Sequence, residues 1–386
     1  MRVLVLHNRY RLTGGEERSV ELQLEALAGA GVEHRLIERR SADAGRGRAA
    51  LALLRGGGGE AEIAAAVREL GADVVHAHNM QPLIGPRGLA AAREGGARLV
   101  LHLHNARLFC AIGVAARDGG PCFRCRGRNT LPGLVLNCRA SLPEAAVYAA
   151  ALAAHQPLVL DSVDRFVAPS RWAAGQLALL GVPAQRLDVV PHYLPGGEFA
   201  PASRAHEGGY ALATGRLSPE KGLADAIEAA ALAGVPLRVA GDGPAAGELA
   251  ALVRRAGAPV ELLGRVPRAQ MAGLLAGAAM LVLGSRCHEF SPFSVLEAMG
   301  AGVPVVATRS GGVPELVGPQ RCVPRGDPAA LAERMGVLWH DPDLRRAEGE
   351  ALLARARHGH SQERYMRDLL TIYERTASLG APRALH

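Results

Sequence analysis

The sequence predicts an α/β protein with two doubly wound parallel sheets, one in each half of the chain. Three observations predict it. Short apolar runs of strand length alternate with alanine-rich helical stretches through the first 190 residues. The alternation stops in the proline- and glycine-rich stretch 191–209 and restarts at Tyr210. A length of 386 residues with 49% hydrophobic content suits two domains of ordinary size and excludes disorder.

In the first half the expected strands are Val3–Leu6, Arg35–Ile37, Asp73–His76, Leu99–His102, Phe166–Ala168 and Asp188–Val190. Helical periodicity lies between them, over Glu17–Ala28, Glu60–Leu70, Leu142–Ala154 and Arg171–Leu180. The glycine- and arginine-rich segment Arg46–Gly59 reads as a flexible loop. In the second half the strands are Tyr210–Ala213, Leu237–Ala240, Val260–Leu263, Met280–Leu283 and Pro304–Ala307, and a last helix covers Ser361–Ala377. The division is 1–195 for the first domain, with a cysteine-rich insert at 107–139, and 196–360 for the second. Residues 361–386 form a C-terminal helix crossing back to the first domain. Two such halves leave a cleft at the carboxyl ends of their strands, where ligands of open sheets bind.

Composition narrows the partners. With 44 basic and 37 acidic residues the net charge is +7, which favours anionic ligands. Aromatics are 4% and are not interleaved with the arginines as a nucleic-acid platform requires. No apolar stretch reaches the ~18 residues of a membrane span. The opening Met-Arg-Val-Leu-Val-Leu-His reads as a strand and not a signal peptide, so a cytoplasmic protein is expected, with peripheral membrane contact allowed by the basic surface.

Among the 44 lysines and arginines there is one lysine, Lys221. A compact point charge on a slim stem suits close approach to a phosphate, where the arginine fork does not. Its neighbours agree. The run Tyr210–Ala213 is followed by Gly215, Arg216, Ser218, Pro219 and Gly222, then by helical periodicity over Leu223–Ala233. A strand–turn–helix of this kind presents free amides and positive charge to a diphosphate. A chance surface lysine is the competing reading.

A second stretch runs from Ser285 to Ala307. Glu289 follows the strand Met280–Leu283, Ser291-Pro292 reads as N-cap and first helical residue, and Glu297 lies on the helix that starts there. The amides of Phe293 and Ser294 offer a second anion site; two solvated glutamates are the plainer alternative. The loop Gly14-Gly15-Glu16-Glu17 after the first strand allows close backbone approach to a phosphate or sugar, or is a tight turn needing positive φ. His76-Ala-His78-Asn79 and His102-Leu-His104-Asn105 end two predicted strands, at the functional edge of such a sheet.

These residues resemble the retaining nucleotide-sugar glycosyltransferases of family 4. The matching features are Arg216 with Lys221, Glu289 with Glu297, the following Glu-Ala-Met-Gly-Ala-Gly-Val-Pro-Val-Val-Ala, Gly311-Gly312-Val313-Pro314-Glu315, and the linker's Val-Pro-His-Tyr. Gly14-Gly15 and His104-Asn105 match as well, so the resemblance covers nearly the whole chain. It implies two Rossmann-like domains, the architecture called GT-B, and transfer of a hexose-type sugar from a UDP- or GDP-linked donor. The acceptor would be a small molecule, a saccharide or a lipid-linked sugar. By resemblance Arg216 and Lys221 hold the diphosphate with help from the Phe293 and Ser294 amides. Glu297 binds the ribose and Glu289 a hydroxyl of the donor sugar. Val266, in Gly264-Arg265-Val266, borders the base, His104 lies against the transferred sugar, and Gly15 is close to the phosphates. Phe290 departs from the glycine or asparagine usual there, which alters the shape of the sugar pocket. Cations and amides of this set can stabilise the leaving diphosphate without a catalytic metal. Asp341-Pro342-Asp343 reads as a helix start and not as a metal-binding Asp-x-Asp.

Other classes remain to be weighed. Gly241-Asp242-Gly243 with Gly247 echoes a dinucleotide fingerprint, at the wrong spacing for an NAD(P) oxidoreductase. A nucleotide-sugar epimerase of the same architecture and a non-catalytic protein binding anionic ligands are the other rivals. In the insert, six arginines face one acid, Asp118, and Cys110, Cys122, Cys125 and Cys138 are spaced by 11, 2 and 12 residues. That spacing suits a structural Cys₄ zinc in a reducing compartment, or four free thiols. The basic insert is also the candidate for contacting an anionic acceptor.

Overall fold

The computed structural model describes residues 1–11, 14–257 and 259–379. The chain divides into two compact units. The first comprises 1–115, 123–191 and the C-terminal segment from Glu363; the second comprises 116–122 and 192–362.

Each unit is built on a six-stranded parallel sheet. In the first unit the strands are β1 (Arg2–Arg9), β2 (Glu33–Arg40), β3 (Val74–Ala77), β4 (Arg98–His102), β5 (Arg165–Ala168) and β6 (Leu187–Val189). Their order is β2-β1-β3-β4-β5-β6. In the second they are β7 (Tyr210–Thr214), β8 (Leu237–Ala240), β9 (Val260–Gly264), β10 (Ala278–Leu283), β11 (Val305–Thr308) and β12 (Cys322–Val323), in the order β9-β8-β7-β10-β11-β12. In both sheets the chain builds outward one way from the first strand, then returns to its other side. The switch points therefore lie between β1 and β3 and between β7 and β10, where loops diverge and leave a crevice.

The second sheet shows why its strands are apolar on both faces. Ala211, Ala213, Val239, Met280 and Val282 pack into one core with the helices Leu223–Ala233 and Pro328–His340. Their sequence neighbours Leu212, Ala240, Leu281 and Leu283 pack into another with the helix Phe293–Gly300. Alternate residues thus point into different cores, as a sheet covered on both faces requires.

Most expected elements lie where the periodicity puts them; three differ, and two very short ones have no counterpart in the sequence pattern. Arg46–Gly59 is not a loop: Arg46–Arg55 is a helix, because its alanines and leucines outweigh its arginines, and the glycines only stop it at Gly56 (φ +81°). The helix beginning at Leu142 runs on to Ser162 through Pro157, since Gln156, Val159 and Ser162 are buried and packing holds the last turns. The helix expected to start at Pro292 starts at Phe293, with Pro292 at its N-cap and Ser291 outside it. The two-residue edge strand β12 and a small hairpin pairing Ala116–Arg117 with Gly120–Pro121 are too short to leave a periodic signal.

The C-terminal helix, Gln362–Ala377, is counted with the first unit from Glu363 onward and buries Tyr365, Leu369 and Tyr373. Residues 380–386 of the expected C-terminal segment lie outside the described residues. Among the described residues no helix is long and apolar enough to cross a membrane.

Candidate active site

In the second unit two loops leave the sheet at the switch point, one after β7 and one after β10. They are joined through backbone: the amides of Arg286 and Cys287 donate to the Glu220 carbonyl at 3.0 and 3.2 Å. Gly222 makes the approach possible. Its φ is +59°, and a Cβ there would lie 1.9 Å from the Gly284 carbonyl oxygen. Arg286 also donates through Nε to the buried Asp225 at 2.8 Å, tying the second loop to the helix Leu223–Ala233.

This joint brings Lys221 and Glu289 together. Lys221 Nζ donates to Glu289 Oε1 at 2.8 Å, and the Ser285 hydroxyl donates to the same oxygen at 2.5 Å. Burial pulls the ammonium pKa down, but the Glu289 charge and hydrogen bond outweigh it and hold it above its ordinary value. Burial likewise pushes the Glu289 carboxyl up, and the Lys221 charge with the bonds from Lys221 and Ser285 brings it below the usual range. Both groups are therefore charged at neutral pH. The Glu289 backbone is held too. Its amide donates to the Ser310 hydroxyl at 3.2 Å and its carbonyl accepts from Gly312 at 2.8 Å. Gly311, at φ +57°, would place a Cβ 2.0 Å from that carbonyl, so the Gly311-Gly312 pair is there to seat Glu289.

Arg216 pairs with Glu220 and donates through Nε to the Ser218 hydroxyl at 3.2 Å. The helix after Glu289 opens with the amides of Phe293 and Ser294, whereas those of Val295 and Leu296 already donate to the Pro292 carbonyl. Glu297, one turn in, accepts from Arg268 Nη1 at 3.2 Å, and Arg268 also bridges to Glu198 at 3.0 Å. Sequence reasoning missed Ser285, Ser310 and Arg268. Nothing in their local patterns marks them: Ser310 and Arg268 act on Glu289 and Glu297 from 21 and 29 residues away, and Ser285 is an ordinary loop serine. Val266 packs beside the second core next to β9.

In the first unit Gly15 begins the helix Gly15–Gly29, with Gly14 as its N-cap at φ −145°. Neither glycine uses positive φ, so the tight-turn reading of that loop does not hold. Glu17 accepts from the Gly14 amide at 2.7 Å and from the Tyr10 amide at 3.0 Å, which fixes the loop from inside. Beyond it lies a small, partly open pocket of about 40 Å³, lined by Tyr10, Glu16, His78, Gln81, His104 and Arg107 among others. The Tyr10 hydroxyl and Asn105 Nδ2 donate to Glu16 Oε2 at 2.8 and 3.1 Å. Burial pushes the Glu16 carboxyl up to about 7, despite Tyr10 and the Arg107 guanidinium. Arg107 lies over the Tyr10 ring at 4.7 Å.

The histidines at the ends of β1, β3 and β4 form one array. The rings of His76 and His78 stack at 4.7 Å, and those of His102 and His104 at 4.0 Å. Among the described residues, the metal-capable nitrogens of His76, His78 and His102 lie within 4.8 Å of one another. Their planes are 9 to 31° apart, however, a stacked arrangement in which the in-plane lone pairs lie in separate, nearly parallel planes, which suits a common metal centre poorly. The four clustered cysteines are free thiols and do not form such a group among the described residues. Cys110, Cys125 and Cys138 belong to the first unit and Cys122 to the second. Asp341 caps a helix, its carboxylate accepting from the Leu344 amide at 2.9 Å, as a helix start requires.

Comparison with known proteins finds glycosyltransferase relatives for both halves of the chain. A family model described as Glycosyl transferase 4-like domain matches residues 14–192, and one described as Glycosyl transferases group 1 matches 208–341. An exopolysaccharide phosphotransferase of Streptomyces coelicolor is 37% identical over 187 residues, 44% of this chain and 19% of that protein. The 2-deoxystreptamine glucosyltransferase of Streptomyces kanamyceticus is 30% identical over 238 residues, 51% of this chain and 61% of that one. The chain thus spans less than two thirds of either relative. The fold extends over the full length of the Anabaena protein HepE, solved with UDP and glucose. There the TM-score is 0.68 at 18% identity, over 98% of this chain and 100% of that one. With glycosyltransferase models matching both units and a GT-B structure matching the whole chain, the protein belongs to the glycosyltransferases of the GT-B fold.

Proposed function

We propose that the chain is a retaining glycosyltransferase of family 4, transferring a hexose-type sugar from a UDP- or GDP-linked donor without a catalytic metal. The observation that carries this reading is the Lys221–Glu289 pair, fixed at the switch point of the second sheet beside Arg216 and the helix opening with Phe293 and Ser294. Breaking the bond between the sugar and the diphosphate sends its electron pair to phosphate oxygen. Fixed cations and amides stabilise that charge in place of a divalent ion. One donor of this kind is typically worth ~2.7–4 kcal/mol in the barrier.

The roles follow the chemistry of each group. Arg216 and Lys221 hold the diphosphate, Glu289 accepts from a sugar hydroxyl, Glu297 accepts from the ribose, and Val266 borders the base. In the first unit Gly14 and Gly15 admit close approach of the donor, and His104 contacts the transferred sugar. The pocket with Glu16, Asn105 and Arg107 suits a hydroxyl-bearing acceptor, whether saccharide, small molecule or lipid-linked sugar. UDP in the Anabaena relative favours a uridine nucleotide.

A thermal-shift panel of nucleotides and nucleotide sugars tests the reading. Stabilisation by a UDP- or GDP-sugar, with transfer to an added acceptor, is the expected result. A shift with NAD(P) alone, or with no nucleotide at all, would remove it.

A further inference from the structure

Arg286 lies on the loop that carries Glu289, and Asp225 lies on the first turn of the helix that follows Lys221. The Arg286 guanidinium grips the Asp225 carboxylate with two arms of its fork. Nε donates to Oδ2 at 2.8 Å, and Nη2 donates to Oδ1. Asp225 is fully buried, while Arg286 is half-buried. To reach it, Arg286 passes over Gly222, where an added Cβ would lie 3.4 Å from its Cγ. All of these residues belong to the second unit.

The pair stands where it can set a register. The amides of Arg286 and Cys287 tie their loop to the Glu220 carbonyl, on one side of Lys221. The ion pair ties the same loop to Asp225, on the other side of Lys221. Ser285 and Glu289, which are bonded to each other, flank Arg286 in that loop. Stability does not explain the pair. Taking a carboxylate out of water costs about what the attraction of its partner returns, so an apolar pair of similar size would hold the fold as well. An apolar pair would not fix a direction, however, whereas the planar fork takes a carboxylate in a set orientation.

We propose that Asp225 and Arg286 are positioning residues of the donor site: their ion pair sets the register of the loop 284–289 on the helix Leu223–Ala233 and so holds Glu289 against Lys221. What Lys221 and Glu289 do with a donor rests on the function proposed above; the register does not.

The test compares the full-length wild type with a double variant, Asp225→Leu with Arg286→Met, in which apolar groups of similar size replace the pair. Lys221 is the chain's one lysine, so lysine labelled with ¹³C at its ε-carbon gives a single resonance that reads the surroundings of its ammonium. The double variant should unfold at the same urea concentration as the wild type, or a higher one, and its lysine resonance should shift. Its UDP affinity and turnover should each fall about tenfold. A folded double variant with the wild-type resonance overturns the proposal, and so does one with a shifted resonance and wild-type turnover. Should the double variant not fold, Asp225→Asn, which keeps the shape and removes one acceptor, decides by the same resonance: an unchanged signal overturns the proposal and a shifted one supports it. A wild type that binds no UDP removes the donor reading and leaves the resonance to decide the register.

Discussion

Lys221 Nζ and Glu289 Oε1 are 2.8 Å apart, although each comes from a different loop and 68 residues separate them. Each therefore fixes the other: the ammonium keeps the carboxylate charged, and the carboxylate holds the ammonium in one place. Lys221→Ala is expected to lower turnover ~10²-fold or more, through loss of one preorganised donor to the leaving diphosphate. It also leaves Glu289 charged without its cation, so the variant should fall further than Arg216→Ala, after which Glu220 still accepts from the Ser218 hydroxyl. Lys221→Arg is the sharper measurement. The planar fork keeps the charge but cannot occupy the same narrow position under Ser285. Near-wild-type turnover in Lys221→Arg would show that charge alone matters there.

Glu297 and Arg268 make the second prediction. The 3.2 Å bond from Arg268 Nη1 orients the Glu297 carboxylate at the edge of the site. Glu297→Ala should weaken UDP or GDP binding by about tenfold while turnover at saturating donor changes little, since a ribose contact acts equally in ground and transition states. Calorimetry on wild type and variant measures it. Equal affinities would exclude the ribose role.

Much of this fold was legible in the sequence because burial on both faces forces apolar strands. The strands Tyr210–Thr214 and Leu237–Ala240 are short, apolar and followed by glycine. The candidate site was legible where a residue type is rare or a backbone demand is strict: the single lysine, and the Gly311-Gly312 pair that seats Glu289. What stayed hidden acts across long sequence distances. Arg268 reaches Glu297 over 29 residues and Tyr373 reaches His76 over 297, and neither leaves a local pattern. Arg46–Arg55 is a helix hidden in the sequence by the glycines at 56–59, which mark only its end.

Metal content separates two further expectations. Transfer should persist in EDTA if, as proposed, Lys221, Arg216 and the Phe293 and Ser294 amides take the place of a catalytic divalent ion. Activity that collapses in EDTA and returns only with Mg²⁺ or Mn²⁺ would point to a metal-assisted mechanism. Zinc on Cys110, Cys122, Cys125 and Cys138 is a separate matter, measured by elemental analysis of the purified chain. About one zinc per chain, lost in Cys122→Ser with Cys125→Ser, is the outcome for a structural clamp. A metal-free, fully active protein would make the insert an ordinary surface segment.

The last prediction concerns acid stability. Burial lowers His7 to about 4 and His76 and His192 to about 3, against 6.5 for a free histidine. A group with a depressed folded pKa binds its proton more readily when unfolded. Its contribution to stability is therefore complete above pH 6.5 and is lost as pH falls towards 3–4. At pH 5.5 each of the three should cost about 1.4 kcal/mol relative to pH 7.5. Glu16 runs the other way. Burial raises it to about 7, so its charge destabilises the fold above that pH, and protonation relieves the cost on descent towards 4.5. That returns about 2 kcal/mol between pH 7.5 and 5.5. Over this interval Glu16→Gln, lacking the opposing group, should therefore lose about 2 kcal/mol more than the wild type. Urea unfolding at the two pH values measures both. A wild type as stable at pH 5.5 as at 7.5, or a Glu16→Gln variant that loses no more than the wild type, would mean that these groups are not held in the protonation states their burial imposes.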